Sequence, residues 1–182
     1  MRSLKKYPPI IGFAAWSGTG KTTLFEKIIP LLSNSGLRVA IVKHAHHDFD
    51  IDHPGKDSFR LRKAGAIDTI VASANRWALI HENIENLKEP NLYALLDQIN
   101  SHQLDLILVE GFKHEPIPRI ELYRSELLKP LLYPDDKEII AIATDCSDKI
   151  SHSITQLDIN NPDKIVEFIQ HYISLIQIQV ST

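Results

Sequence analysis

The sequence predicts an α/β fold in three layers: a mostly parallel sheet, helices on both faces and a small antiparallel hairpin. Three observations lead there. The short apolar run Ile10 to Ala14 passes through "AWSGTGKTT" into an amphipathic helix and then a second strand, Arg38 to Val42. That strand–loop–helix–strand order favours parallel pairing with a right-handed crossover. "LDLILV", Leu104 to Val109, is almost continuously apolar, as a strand covered on both faces should be. Ile67 to Ala72 and Trp77 to His81, separated by "SANR", read as a hairpin.

The remaining elements follow in order. Thr22 to Leu32 places Leu24, Phe25, Ile28, Ile29 and Leu32 on one helical face, and Pro30 is expected to kink that helix or end it early. "SNSG" closes it. After "HPG", Lys56 to Ala64 forms a short helix stopping at Gly65, and Asn91 to Ile99 forms another. Ile117 to Tyr123 alternates weakly, and Pro116 and Pro118 point to an edge strand. Glu138 to Ala143 is a further buried strand. Asn161–Pro162–Asp163 opens a final helix running to about Ile176. Its exposed Phe168 and Leu175 read either as a dimer contact or as the edge of the core. Ser125 to Lys137 is the expected loose loop. No repeat or linker interrupts the chain, so residues 1–182 read as one domain with a hairpin insertion at about 67–81.

Composition narrows the class of function. A chain of 182 residues, 43% apolar and 24% charged, can bury a core and is too apolar to be disordered. The net charge of −3 and the lack of a basic stripe give no support for a nucleic-acid partner. One cysteine, Cys146, suits a reducing compartment. The basic N-terminus precedes too short an apolar run for a signal peptide, and no run has the length of a membrane span. A soluble, cytoplasmic protein is expected.

"AWSGTGKT", Ala15 to Thr22, matches the phosphate-loop pattern, with Ala15 where the first glycine usually sits. Each part has a chemical reason. Gly18 and Gly20 let successive amides, with those of Ser17 and Thr19, curl toward a phosphate. The helix start adds unpaired N–H groups and a positive dipole end. Lys21 is expected at the β- and γ-phosphates, the Thr22 hydroxyl on Mg²⁺, and Thr23 at the α-phosphate. The fold is therefore expected to be of the phosphate-loop NTPase type.

In such proteins a second strand ends in an acid that reaches the Mg²⁺ shell. "LDLILVEG" offers Glu110, followed by Gly111, whose amide is placed for a γ-phosphate. Ligands in open parallel sheets bind beyond the carboxyl ends of the strands. That rule adds Asp145, a carboxylate able to accept the N1 and N2 protons of guanine, or equally a turn or capping residue. No "NKxD" guanine signature is present, so guanine and adenine both stay open.

The same rule places "KHAHHDFDID", Lys43 to Asp52, at the site. An extended segment would line His44, His46, Asp48, Asp50 and Asp52 along one side. Mg²⁺ prefers oxygen ligands, which favours the aspartates over the histidines. Asp48 or Asp50 is expected to hold a metal-bound water or orient the attacking one, with Asp48 joining Thr22 and Glu110 as metal ligands. The catalytic set expected is Lys21, Asp48, Asp50 and Glu110, with the segment acting as a switch loop.

With these residues in view, the sequence resembles the molybdopterin-guanine dinucleotide biosynthesis protein B family. "FAAWSGTGKTTL", "VKHAHHDFDIDHPGKDSFRLRKAGA", "TIVASANRWAL" and "LDLILVEGFKHEPIPRI" carry the resemblance, over most of residues 10–124. It implies a GTP-binding protein with weak Mg²⁺-dependent GTPase activity. It implies an adapter for the step joining GMP to molybdopterin, whose chemistry belongs to a separate nucleotidyltransferase partner. It also implies a homodimer, with molybdopterin as a further ligand. Gly18, Gly20, Lys21 and Thr22 match the family's phosphate loop, and Glu110–Gly111 its second motif. Related phosphate-loop proteins often carry an extra lysine where this chain has Trp16, so dimerisation through such a lysine is not expected.

Two competing readings use the same loop. A small-molecule or nucleotide kinase would close Arg60, Arg62 or Arg124 over an acceptor, although Arg60 and Arg62 fit a solvated helix face. A metal-delivery chaperone would use His44 and His46, but Cys146 stands alone and far away in sequence. Trp77 reads as a packing residue, and Lys113 and His114 as ligand contacts or solvated surface.

Overall fold

Buried side chains alternate along the central strands, and the alternation gives a sheet with two covered faces. Strands β1 (Ile10–Ala15) and β5 (Leu106–Glu110) send Ile11, Phe13, Leu106 and Leu108 to one face. Ile10, Ile107 and Val109 go to the other. Each fully buried leucine of this kind contributes about 1.5–3 kcal/mol by leaving water. The structure, a computed structural model, describes residues 6–45, 49–84 and 89–180. The chain divides into two compact units, Met1–His44 with Leu92–Thr182, and Ala45–Asn91.

The first unit holds a six-stranded sheet in the order β2-β5-β1-β6-β7-β8. Its other strands are β2 (Val39–Lys43), β6 (Arg119–Tyr123), β7 (Ile139–Thr144) and β8 (Thr155–Asp158), and every pairing is parallel. Helix α1 (Lys21–Asn34) places Leu24, Phe25, Ile28 and Leu32 on one face of the sheet, beside a long C-terminal helix, Pro162–Val180. Five-residue Leu92–Leu96 lies on the other face, where Leu92 and Leu96 pack with Val42, Phe112 and Ile117. The predicted fold class is the one observed.

Three local expectations are corrected. β6 is not an edge strand but lies between β1 and β7. Pro116 and Pro118 precede it, so neither removes a donor from its ladder, and the Pro118 carbonyl accepts the Gly12 N–H at 2.8 Å. Of the two effects expected of Pro30, early termination is excluded: the proline sits exposed within the first helix, which continues to Asn34. β8, four residues of mixed polarity, escaped the sequence pattern and forms one edge of the sheet. The segment expected to be loosest is tied down: Leu132 and Tyr133 donate their N–H groups to the Glu121 carboxylate, each at 2.8 Å.

The second unit, in chain order, contains α2 (Asp57–Lys63), β3 (Asp68–Ala72) and β4 (Trp77–His81), which makes the helix Leu92–Leu96 α3 and Pro162–Val180 α4. β3 and β4 form the predicted antiparallel hairpin, with Ile70 opposite Leu79 and Ala72 opposite Trp77. Those four side chains share one face. Ile70 and Trp77 are 67% and 66% exposed, so Trp77 is not a packing residue among the described residues of its unit.

Candidate nucleotide site

The loop Trp16–Gly20 connects the carboxyl end of β1 to the first residue of α1. Phe25 packs edge-on against Phe13 at 4.9 Å, fixing the helix to the strand beneath the loop. Gly18 and Gly20 have φ of 85° and 91°, left-handed values that turn the backbone back on itself. Thr19 is buried, and its hydroxyl donates to the Trp16 carbonyl at 2.7 Å, closing the turn. Helical bonding begins with Leu24 N–H to the Gly20 carbonyl at 2.9 Å. The first-turn amides of Lys21, Thr22 and Thr23 therefore have no carbonyl within the helix to bond. Ser17, Thr22 and Thr23 are exposed there. Such a turn can wrap an anion with backbone donors.

Glu110 ends β5 beside this loop, paired in register with Phe13 and with Lys43. Its carboxylate lies 3.6 Å from the Lys21 ammonium and 3.2 Å from that of Lys43, and its side chain is 14% exposed. The sequence brings these three together across three strands' ends, although Lys43 was not singled out. Thr22 and Glu110 supply the hard oxygen donors that Mg²⁺ takes.

Gly111 follows with φ 88° and Phe112 with φ 54°. A Cβ at Gly111 would stand 2.6 Å from that of His44, so glycine is required there twice over. Phe112 is buried in a conformation that costs a bulky residue about 1–3 kcal/mol. The buried Arg119 guanidinium holds the turn from behind, donating to the carbonyls of Phe112, Lys113 and Glu115 and pairing with Asp136 at 3.1 Å. Sequence reasoning missed Arg119 and Glu121. The signal was alternation in "RIELY", which buries two charges on the face opposite Ile120 and Leu122. Burial raises the Glu121 carboxyl above its ordinary value, against the two N–H donors that lower it.

The other expected residues are distributed differently. Asp145, directly after β7, accepts the Ser125 N–H at 2.9 Å and faces Arg124 at 3.8 Å. Trp16, in the loop itself, donates its indole N–H to the Pro130 carbonyl at 2.9 Å. β2 ends at Lys43, and the described residues among 44–52 form no strand. Asp48, with His46 and His47, lies outside the described residues. Asp50 belongs to the second unit, where it pairs with Arg62 at 2.5 Å; Arg62 also binds Glu82 at 2.6 Å. Arg62 is thus buried and paired, not part of a solvated helix face. Its hydrogen bond, followed by that from Asp52 N–H, lowers the Asp50 carboxyl below its ordinary value.

Residues 10–145 match the family model described as molybdopterin guanine dinucleotide synthesis protein B. The molybdopterin-guanine dinucleotide biosynthesis adapter protein of Escherichia coli is 48% identical over 162 residues, covering 88% of this chain and 91% of that one. Its Haemophilus influenzae counterpart is 42% identical over 166 residues, covering 91% and 89%. A crystal structure of molybdopterin-guanine biosynthesis protein B superposes with a TM-score of 0.67 at 27% identity, over 90% of this chain and 99% of that one.

Proposed function

The chain belongs to the molybdopterin guanine dinucleotide synthesis protein B family, and from that premise we propose that it is a GTP-binding adapter in molybdopterin guanine dinucleotide formation. The observation that supports this most is the junction of the Trp16–Gly20 loop with Glu110. A ring of backbone donors opens beside a carboxylate already held between two lysines. In this reading Ser17 to Thr23 hold the phosphates, and Lys21 neutralises the β- and γ-oxygens. Thr22 and Glu110 would hold Mg²⁺, which would supply neutralisation of the charge on the phosphates. Gly111 presents its amide to the γ-phosphate.

Hydrolysis is slow in this reading. Glu110 pairs with lysines, and Asp50 has its carboxylate engaged by Arg62 rather than free to orient water. The protein acts on a nucleotidyltransferase partner that performs the chemistry, with molybdopterin as a ligand of the assembly. It does so as a homodimer, for which the apolar hairpin face of Ile70 and Trp77 supplies surface.

Titration with GTP, with and without Mg²⁺, tests the nucleotide reading. Binding should strengthen with Mg²⁺ and be lost in Lys21→Ala; no binding, or unchanged binding in that variant, ends it. Light scattering of Trp77→Ser tests the dimer surface, and an unchanged mass would remove the hairpin from it.

A further inference from the structure

We propose that Arg124, Asp145 and Asn160 together read the nucleotide base and select guanine over adenine. This rests on the phosphate-loop reading and goes beyond it by naming the side chains that choose the base. Placement follows from register. Tyr123, Thr144 and Asp158 pair across β6, β7 and β8, so the residues after them leave the sheet side by side at its carboxyl edge. β1 reaches that edge beside β6, with Ala15 paired to Leu122. β7 stands two strands from β1, about 10 Å away. A nucleotide with its phosphates in the Trp16–Gly20 loop lays its ribose across that gap and brings its base to Asp145.

The polar groups at this edge are ordered. Ser125 N–H donates to one Asp145 oxygen at 2.9 Å and fixes the carboxylate. Arg124 lies 3.8 Å from the other oxygen and donates to the Asn160 side-chain amide oxygen, Oδ1, at 3.2 Å. Occupying that oxygen leaves the two amide hydrogens of Asn160 for a ligand. The Arg124 and Asp145 side chains keep 28% and 21% exposure, enough to meet one. The edge therefore offers an acceptor beside a group of donors.

Guanine is the complement of that order. Its N1–H and N2 amino group are donors for Asp145, while O6 and N7 are acceptors for Arg124 and Asn160. Adenine reverses both contacts. Its N1 lone pair would face the carboxylate and its N6 amino group the guanidinium, leaving polar groups on both sides unsatisfied. The three side chains also tie the ends of β6, β7 and β8 together. A role confined to that would alter stability and leave base preference untouched.

Competition among GTP, ATP, ITP and XTP for the full chain with Mg²⁺, run beside thermal melting, separates the two. The unmodified chain should prefer GTP to ATP and bind ITP, which lacks the N2 amino group, about tenfold more weakly than GTP. Arg124→Gln and Asn160→Ala should each shrink the GTP-to-ATP ratio by about ten- to a hundredfold. Asp145→Asn should weaken GTP and strengthen XTP, because an amide can donate to the xanthine O2 that a carboxylate repels. Arg124→Lys, which keeps the charge but loses the planar fork, gives the same reading if the glutamine variant does not fold. Equal affinity of the unmodified chain for GTP and ATP would overturn the proposal and leave the phosphate loop standing. So would an unchanged preference in all the folded variants. Failure of the unmodified chain to bind any of the four would overturn the nucleotide reading itself.

Discussion

The two units are built by opposite means. The first, Met1–His44 with Leu92–Thr182, carries apolar clusters on both faces of a parallel sheet, and its polar groups gather at strand ends. In the second, Ala45–Asn91, the one buried residue among those described is the cation Arg62, while Leu61, Ile67, Ile70, Val71 and Trp77 face outward. A unit with its own core can hold a catalytic or binding loop rigidly. A unit organised by ion pairs, with its apolar side chains exposed, has surface left for another protein.

Matched truncations should expose that difference most. Leu108→Ala removes a side chain with no exposure from the centre of β5 and should cost about 2–5 kcal/mol in urea unfolding. Ile70→Ala, at 67% exposure, should change the same measurement by less than about 0.5 kcal/mol in solution dilute enough to dissociate the proposed homodimer. Comparable losses in the two variants would mean that the hairpin face is buried after all, for instance in a dimer that unfolds as one unit.

The well-packed unit has its own point of strain, and Gly111→Ala should find it. Alanine there must adopt φ 88° and bring its Cβ within 2.6 Å of His44 Cβ. The conformational part alone costs about 1–3 kcal/mol. Relief of the contact must displace the ends of β2 or β5, which carry Lys43 and Glu110. Nucleotide affinity should therefore fall with stability in this variant. Loss of stability with affinity intact would detach Gly111 from the site.

What was legible in the sequence follows the same division. The phosphate loop was readable because backbone donors need glycines at fixed spacing, and "SGTGKTT" has few other uses. Leu104 to Val109 was readable because a strand covered on both faces cannot hide its hydrophobicity. Arg62 was not, since an arginine on a short helix looks solvated until Asp50 and Glu82, twelve residues before it and twenty after, fold onto it. The edge position given to β6 failed because two prolines near a strand were counted as if they lay within it. Asp145 was placed correctly beyond a strand end, but its partner Arg124, and Asn160 that Arg124 bonds, follow other strands and no spacing announces them.

Arg62→Met should sharpen the contrast with a smaller, local effect. It leaves Asp50 and Glu82 without their shared cation. Amide exchange should quicken across Asp57–Lys63 and the hairpin, while the urea midpoint of the main sheet stays in place. Unchanged exchange would show that the second unit does not depend on its buried arginine.

Acid should act on both units with the same sign but different consequence. Asp105 is held at about 2, against an ordinary 3.8, chiefly by its hydrogen bonds with Arg38. Asp50 is lowered likewise by Arg62. A carboxyl with a lower pKa folded than unfolded contributes its full stability above the unfolded value and loses it as pH falls through the folded one. Between pH 3.8 and about 2 the Asp105 contribution fades, and the stability difference between Asp105→Asn and the unmodified chain should vanish with it. Asp105 is one partner of an exposed pair in a unit with a large core, so the sheet should survive that loss. Asp50 is half of what organises the other unit. Limited proteolysis as pH is lowered should therefore cut within 49–84 before circular dichroism reports loss of the main sheet. Simultaneous loss of both would mean that the two units unfold together.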